Sequence, residues 1–199
     1  MKQFLATSAF VLVLVAGLLV GCAGAAPHAA NYTSLESYPK ADMSGYACAA
    51  DYNKEYQFRN MTVAEMVAEM DKGSTFVVYA GFNKCPWCNV MLNLLNDIAA
   101  NRGIDIAYID TRANPSWKSN MDIDDYDLLV ERFGSVIPED NEGKKHLYAP
   151  HCFFVKNGQL VHDHSGTVPS QAEPSDPLTE EEIDEYNSTI NSYIDDMLR

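Results

Sequence analysis

Residues 81–88 read Gly81-Phe82-Asn83-Lys84-Cys85-Pro86-Trp87-Cys88. A β-branched and aromatic run, Thr75 to Tyr79, leads into them, and an apolar-periodic segment, Val90 to Ala100, leads out. A Cys-x-x-Cys pair between a strand and a helix is the arrangement used for thiol–disulfide chemistry. Unpaired N–H groups and the macrodipole at a helix N-terminus stabilise a thiolate, which suits Cys85 to attack. Pro86 fits the first helical turn, where no N–H is needed and its φ is already helical. Cys88 follows one turn later, placed to resolve by closing a disulfide with Cys85. Two plainer readings compete. One is half of a zinc site, but no second Cys-x-x-Cys is present to complete it. The other is an inert structural disulfide.

Outward from this stretch, the pattern alternates between helix and strand. Thr62-Val63-Ala64-Glu65 is a capping box, and Val63, Met66, Val67 and Met70 fall on one helical face before Asp71-Lys72-Gly73 ends the helix. Ser74 to Ala80 is a continuous apolar strand. The helix after Cys88 offers Val90, Met91, Leu94, Leu95 and Ile98 to a core, and Ile104 to Asp110 forms the next strand. Tyr56-Gln57-Phe58 is a candidate short first strand. Later, Tyr148-Ala149-Pro150 precedes a strand from His151 to Lys156. Asn157-Gly158 is a hairpin turn signal, Gln159 to His164 returns, and Gly166 closes it. Thr179-Glu180-Glu181-Glu182 is a second capping box. It opens a last amphipathic helix carrying Ile183, Tyr186, Ile190, Tyr193, Ile194 and Met197.

These elements and Cys85-Pro86-Trp87-Cys88 resemble the thioredoxin superfamily, over residues 56 to 198. The resemblance implies an α/β thioredoxin-like fold: a central mixed sheet flanked by helices, with an insertion between the active-site half and the cis-proline hairpin. Pro150, Gly158 and Gly166 match the family spacing, so Pro150 is expected to be cis and to face the cysteine pair. Ala149 is then expected to offer its backbone to an incoming peptide. Val136-Ile137-Pro138 imitates the same signature, but a loop follows it. Three departures stand out. Tyr79 occupies the position where thioredoxins bury a carboxylate, Asn93 that of a helix-kinking proline, and Pro-Trp replaces Gly-Pro between the cysteines. The interval Ala113 to Tyr148 is longer than in a minimal thioredoxin, with Trp117, a short helix over 124–133 and an acidic loop. In these respects the chain looks closer to extracytoplasmic thioredoxin-like lipoproteins of the bacteriocin-transport accessory type.

The N-terminus agrees. Lys2 precedes an almost wholly apolar run, Phe4 to Val20, and this reads as a secretory signal. Leu19-Val20-Gly21-Cys22 resembles the bacterial lipoprotein box, which implies cleavage before Cys22 and lipid on Cys22. An uncleaved membrane anchor is the alternative. Either reading puts the remainder outside the cytoplasm, where cysteines can be oxidised. The expected organisation is a lipoprotein signal peptide at 1–21, lipidated Cys22 with a flexible tether at 22–45, and a thioredoxin-like domain at 46–199. The tether lacks any sustained period. The expected location is extracytoplasmic, lipid-anchored to the bacterial cell membrane.

Net charge is −14 over 199 residues, which argues against nucleic acid and anionic membrane surfaces as partners. The acidic stretches 122–127, 139–142 and 173–185 read as solvated loops and helix faces. Beside the cysteines, Lys84 would favour a Cys85 thiolate, and His151 would tune it if close. Trp87 is expected to stand exposed as part of a docking surface with Ala149 and Pro150. Cys152 is either a small buried hydrophobe, a disulfide partner of Cys48, or part of a redox relay. His162 and His164 share a strand face. With Cys85 and Cys88 they would make a thiolate–imidazole set suited to copper, although a plain polar face is the simpler reading.

The expected function is thiol–disulfide exchange with cysteines of exported proteins, without a cofactor or metal. Its partners are those thiols or disulfides, a membrane or extracytoplasmic redox partner, and the lipid bilayer through Cys22. A copper-binding protein and a non-enzymatic accessory protein that binds an exported peptide or transporter are the alternatives.

Overall fold

The computed structural model describes residues 31–112 and 121–199. The signal peptide at 1–21, the lipidated Cys22, the tether up to residue 30, and Trp117 lie outside the described residues.

The described residues form a five-stranded sheet in the order β1-β3-β2-β4-β5. The strands are β1 (Phe58–Asn60), β2 (Phe76–Gly81), β3 (Ile106–Asp110), β4 (His151–Lys156) and β5 (Gln159–Ser165). β1 and β2 both run parallel to β3, with Tyr79 opposite Tyr108, while β4 is antiparallel to β2 and β5 to β4. The helices are α1 (Val63–Asp71), α2 (Pro86–Arg102), α3 (Ile123–Phe133) and α4 (Glu180–Leu198). α1 packs with α3, and α2 packs with α4. This is the expected thioredoxin-like arrangement, a mixed sheet flanked by helices.

Local chemistry explains most boundaries. Both capping boxes form: Thr62 with Glu65 opens α1, and Thr179 with Glu182 opens α4. α2 ends at Gly103 in the left-handed conformation. β2 lies between two strands and is buried along its whole length, which accounts for its unbroken apolar run. The β4–β5 turn carries positive φ at Asn157 and Gly158. A Cβ on Gly158 would stand 2.1 Å from the Met70 carbonyl oxygen, so this turn seats against the end of α1 only as glycine.

The N-terminal segment differs from expectation. Described residues from 31 to 45 are not a loose tether but part of the packed body. Leu35, Met43 and Tyr32 are buried, as is Tyr46 just beyond. Asn60 N–H donates to the Pro39 carbonyl (2.8 Å) and Ala41 N–H to Phe58 (2.9 Å), so this stretch borders β1. Its apolar residues are irregularly spaced because it reaches the core as a loop, with no helical or strand period.

The buried side of α2 also differs. Leu92 and Asn96 are buried, whereas Val90 and Leu94 are only half-buried. Asn89, Asn93 and Asn96 face the segment around 48–57. Asn89 Oδ1 accepts from Cys48 N–H (3.2 Å), and Asn93 Nδ2 donates to the Cys48 carbonyl (2.9 Å). Asn96 Oδ1 accepts from Gln57 N–H (2.7 Å) while its Nδ2 donates to Tyr52 Oη (2.6 Å). These amides meet the polar backbone of a loop, so their burial is satisfied.

The insertion steers the chain back toward the cysteines. Asp122 caps α3 through Asp125 N–H. Tyr126 Oη donates to the Lys145 carbonyl (2.6 Å) and accepts from Leu147 N–H (3.0 Å). Tyr126 thereby holds the loop that delivers Tyr148, Ala149 and Pro150.

Candidate active site

Cys85 is the N-cap of α2, with Pro86 inside the first turn. Its sulfur accepts from Cys88 N–H at 3.3 Å, so the thiol caps the helix end. The same Sγ lies 3.4 Å from the Ala149 carbonyl oxygen, to which its S–H can donate. The Ala149–Pro150 peptide bond is cis, as the resemblance implied, and Pro138 takes no part. Cys85 is 6% exposed and Cys88 0%. Only Cys85 therefore has a route to solvent.

The two thiols are driven apart in acidity. The Cys88 thiol hydrogen-bonds to the Cys85 sulfur; against burial, this bond, the backbone N–H groups of Cys88 and Trp87, and the Arg112 charge hold the Cys85 thiol down at about 7. The same bond and burial push Cys88 far above the ordinary thiol range. The arrangement gives one nucleophile near neutrality and one thiol held in reserve.

Arg112 is the cation that sequence reading missed. Its guanidinium lies over the Phe82 ring at 4.3 Å. It follows β3, next to β2 in the sheet but some thirty residues along the chain, so only the strand order brings it to Cys85. Lys84, expected in that role, is exposed and is not among the groups acting on Cys85. His151 is likewise displaced from its expected role. Its ring stacks on Phe153 at 4.3 Å, Phe153 stacks on Phe133 of α3, and Nε2 bonds the Asp163 carboxylate at 2.8 Å. Strand alternation turns His151 toward α3, whereas Cys152 takes the other face.

Trp87 is half-buried against the core instead of standing exposed. It borders a groove of about 610 Å³ also lined by Tyr148, Ala149, Pro150, Thr167, Val168 and Gln171. Tyr148 is the large exposed side chain on this rim, at 54%. Cys152 is fully buried and Cys48 half-buried, and both are free thiols, so the pairing between them is not formed. His162 bonds Asp196 and stacks on Tyr193, while His164 donates to the Thr167 carbonyl. Among the described residues no group of three His, Cys, Asp or Glu side chains is placed to hold a metal ion, and His162 and His164 are not brought together with Cys85 and Cys88.

No protein-family model and no curated protein matches the chain. Solved structures similar to it include three thioredoxins. That of Trypanosoma brucei brucei is 14% identical with a TM-score of 0.42, covering 72% of this chain and 97% of its own. That of Nicotiana alata is 15% identical with a TM-score of 0.42, covering 72% and 98%. Thioredoxin O2 of Arabidopsis thaliana is 11% identical with a TM-score of 0.41, covering 74% and 100%.

Proposed function

We propose that the chain is a thiol–disulfide oxidoreductase working through Cys85 and Cys88. The observation that carries this reading is the split between the two thiols. Cys85 caps a helix, is held near neutrality and has access to solvent, while Cys88 is buried beside it and held protonated. Exchange needs one ready nucleophile and one thiol that waits for the mixed disulfide. In the reducing direction, Cys85 thiolate attacks a substrate disulfide and releases one substrate sulfur. Cys88 then attacks Cys85, closes the pair and frees the second. In the oxidising direction, a substrate thiolate attacks the closed pair, and the same steps run backward. The pair's potential against that of its partner sets the direction.

The substrate class in this proposal is the cysteines of exported proteins, presented as extended peptide. A groove of about 610 Å³ lies beside Ala149 and Pro150, and Trp87 and Tyr148 border it. The export reading rests on the apolar run Phe4 to Val20 and on Cys22, the proposed lipid anchor. Among the described residues no helix is long and apolar enough to cross a membrane.

Trapping tests the proposal. In cells, Cys88→Ser should accumulate mixed disulfides with other proteins through Cys85, dissolved by reductant. Cys85→Ser should accumulate none. Equal adduct levels in the two variants, or activity in cells unchanged by Cys85→Ser, would favour a non-enzymatic accessory role.

A further inference from the structure

Tyr79 lies on β2, the central strand, with Cys88 among the groups that act on its hydroxyl. Its cross-strand partners are Tyr108 on one side and Cys152 on the other. The ring is completely buried, and its hydroxyl has no hydrogen-bond partner among the described residues. A buried hydroxyl left so calls for a reason. The side chains that act on it most strongly are Cys88 and Tyr46.

Gly81 shows that this placement is built. Side chains two apart on a strand point to the same face. The Tyr79 ring lies over Gly81, where a Cβ would meet its Cε1 at 2.8 Å, its Oη at 2.8 Å and its Cζ at 2.9 Å. Any side chain at 81 would drive the hydroxyl from its position beside Cys88. Two more phenols close the surroundings: Tyr46 Oη and Tyr108 Oη are 3.2 Å apart, and the Tyr79 and Tyr108 rings stack at 6.0 Å.

We infer that the Tyr79 hydroxyl is the hydrogen-bond donor that stabilises the Cys88 thiolate while Cys88 resolves the mixed disulfide, in the space that Gly81 leaves for it. This rests on the oxidoreductase reading above. In the dithiol, Cys88 gives its proton to a bond with the Cys85 sulfur. In the mixed disulfide that acceptor is no longer a thiolate, and Cys88 must ionise in a buried place. The phenol meets it there. Burial pushes Tyr79 well above the ordinary tyrosine value, so it remains a neutral donor and never becomes a competing anion. The Cys88 sulfur then attacks the Cys85 sulfur. The Cys85–Cys88 bond forms, and the bond from Cys85 to the substrate sulfur breaks. The substrate sulfur leaves with the electron pair and takes up the proton that Cys88 released. The pair is oxidised by two electrons, and the substrate disulfide is reduced by two. The titratable groups facing Cys88 are Cys85 from α2, Tyr79 from β2, Tyr108 from β3 and Tyr46 from the N-terminal segment; Cys152 of β4 and Tyr186 of α4 lie next to them.

Ellman's reagent separates the two steps in the reduced full-length chain in detergent. Attack by Cys85 releases one thionitrobenzoate, and resolution by Cys88 releases the second. With Tyr79→Phe the first release should keep its rate and the second should slow by about tenfold, its pH profile moving upward. A second release with parental rate and pH profile would overturn the inference while leaving the oxidoreductase reading intact. A parental chain that never gives the second release would overturn that reading instead. If Tyr79→Phe fails to fold, fluorotyrosine at 79 keeps the shape and makes a stronger donor. Its second release should shift to lower pH, and an unshifted profile would overturn the inference.

Discussion

The Cys85 sulfur lies 3.4 Å from the carbonyl oxygen of Ala149, although 64 residues separate them. This contact joins the two halves of the candidate site, a helix N-terminus and a backbone edge. On the proposed reading, an extended peptide pairing with that edge would bring its own sulfur to the nucleophile.

Cys85 should be the thiol that reacts at neutral pH. Its thiol is held down at about 7, so the thiolate fraction rises as pH passes through that value. Iodoacetamide alkylation of the reduced chain should show a midpoint near there, with Cys88 and Cys152 silent. Arg112→Ala should move the midpoint upward by removing a cation beside the thiolate. Lys84→Ala should leave it unchanged. Mass spectrometry of alkylated peptides over a pH series reads all three.

Tyr148→Ala and Trp87→Ala should weaken docking of a peptide disulfide without slowing alkylation of Cys85. Both side chains border the groove, and Trp87 acts on the thiol only through its backbone N–H, which alanine keeps. Loss of an anchor of this kind raises KM by about fivefold or more. Steady-state kinetics with a peptide disulfide, set beside the alkylation rate, separates docking from reactivity.

Leu35→Ala and Met43→Ala should each destabilise the fold by about 2–5 kcal/mol, the cost of truncating a buried aliphatic side chain. Both residues are almost fully buried. A tether would tolerate either change. Urea unfolding of the variants measures the difference.

Asn96→Ala should cost about 1–3 kcal/mol, because it strands the Gln57 N–H and removes the donor to Tyr52. Asn96→Leu is no remedy despite its apolar side chain, since the same backbone group stays unpaired. Chemical denaturation of the two variants should place both well below the parent.

The parts legible in the sequence were those with local causes. The capping boxes at Thr62 and Thr179, the Asn157-Gly158 turn and the apolar β2 run carry their reasons within a few residues. Cys85 as helix N-cap was readable for the same reason. What escaped depends on distant partners. Asn96 looks like a surface amide until the loop near residue 57 is laid against it. Arg112 meets Cys85 only through strand order, whereas Lys84 was adjacent in sequence but points into solvent. His151 follows Pro150 directly, yet strand alternation sends it to the other face. Residues 31–45 have no period to read, and their burial appears only once Leu35 and Met43 meet the core.

Cys85 and Cys88 should form a reversible redox couple. The most direct measurement equilibrates the full-length chain in detergent with glutathione buffers and quantifies the Cys85–Cys88 disulfide at each ratio. The expected result is a single two-electron transition between about −270 and −120 mV, abolished by either Cys85→Ser or Cys88→Ser. A pair that remains dithiol, or disulfide, at every buffer ratio across that range would contradict it.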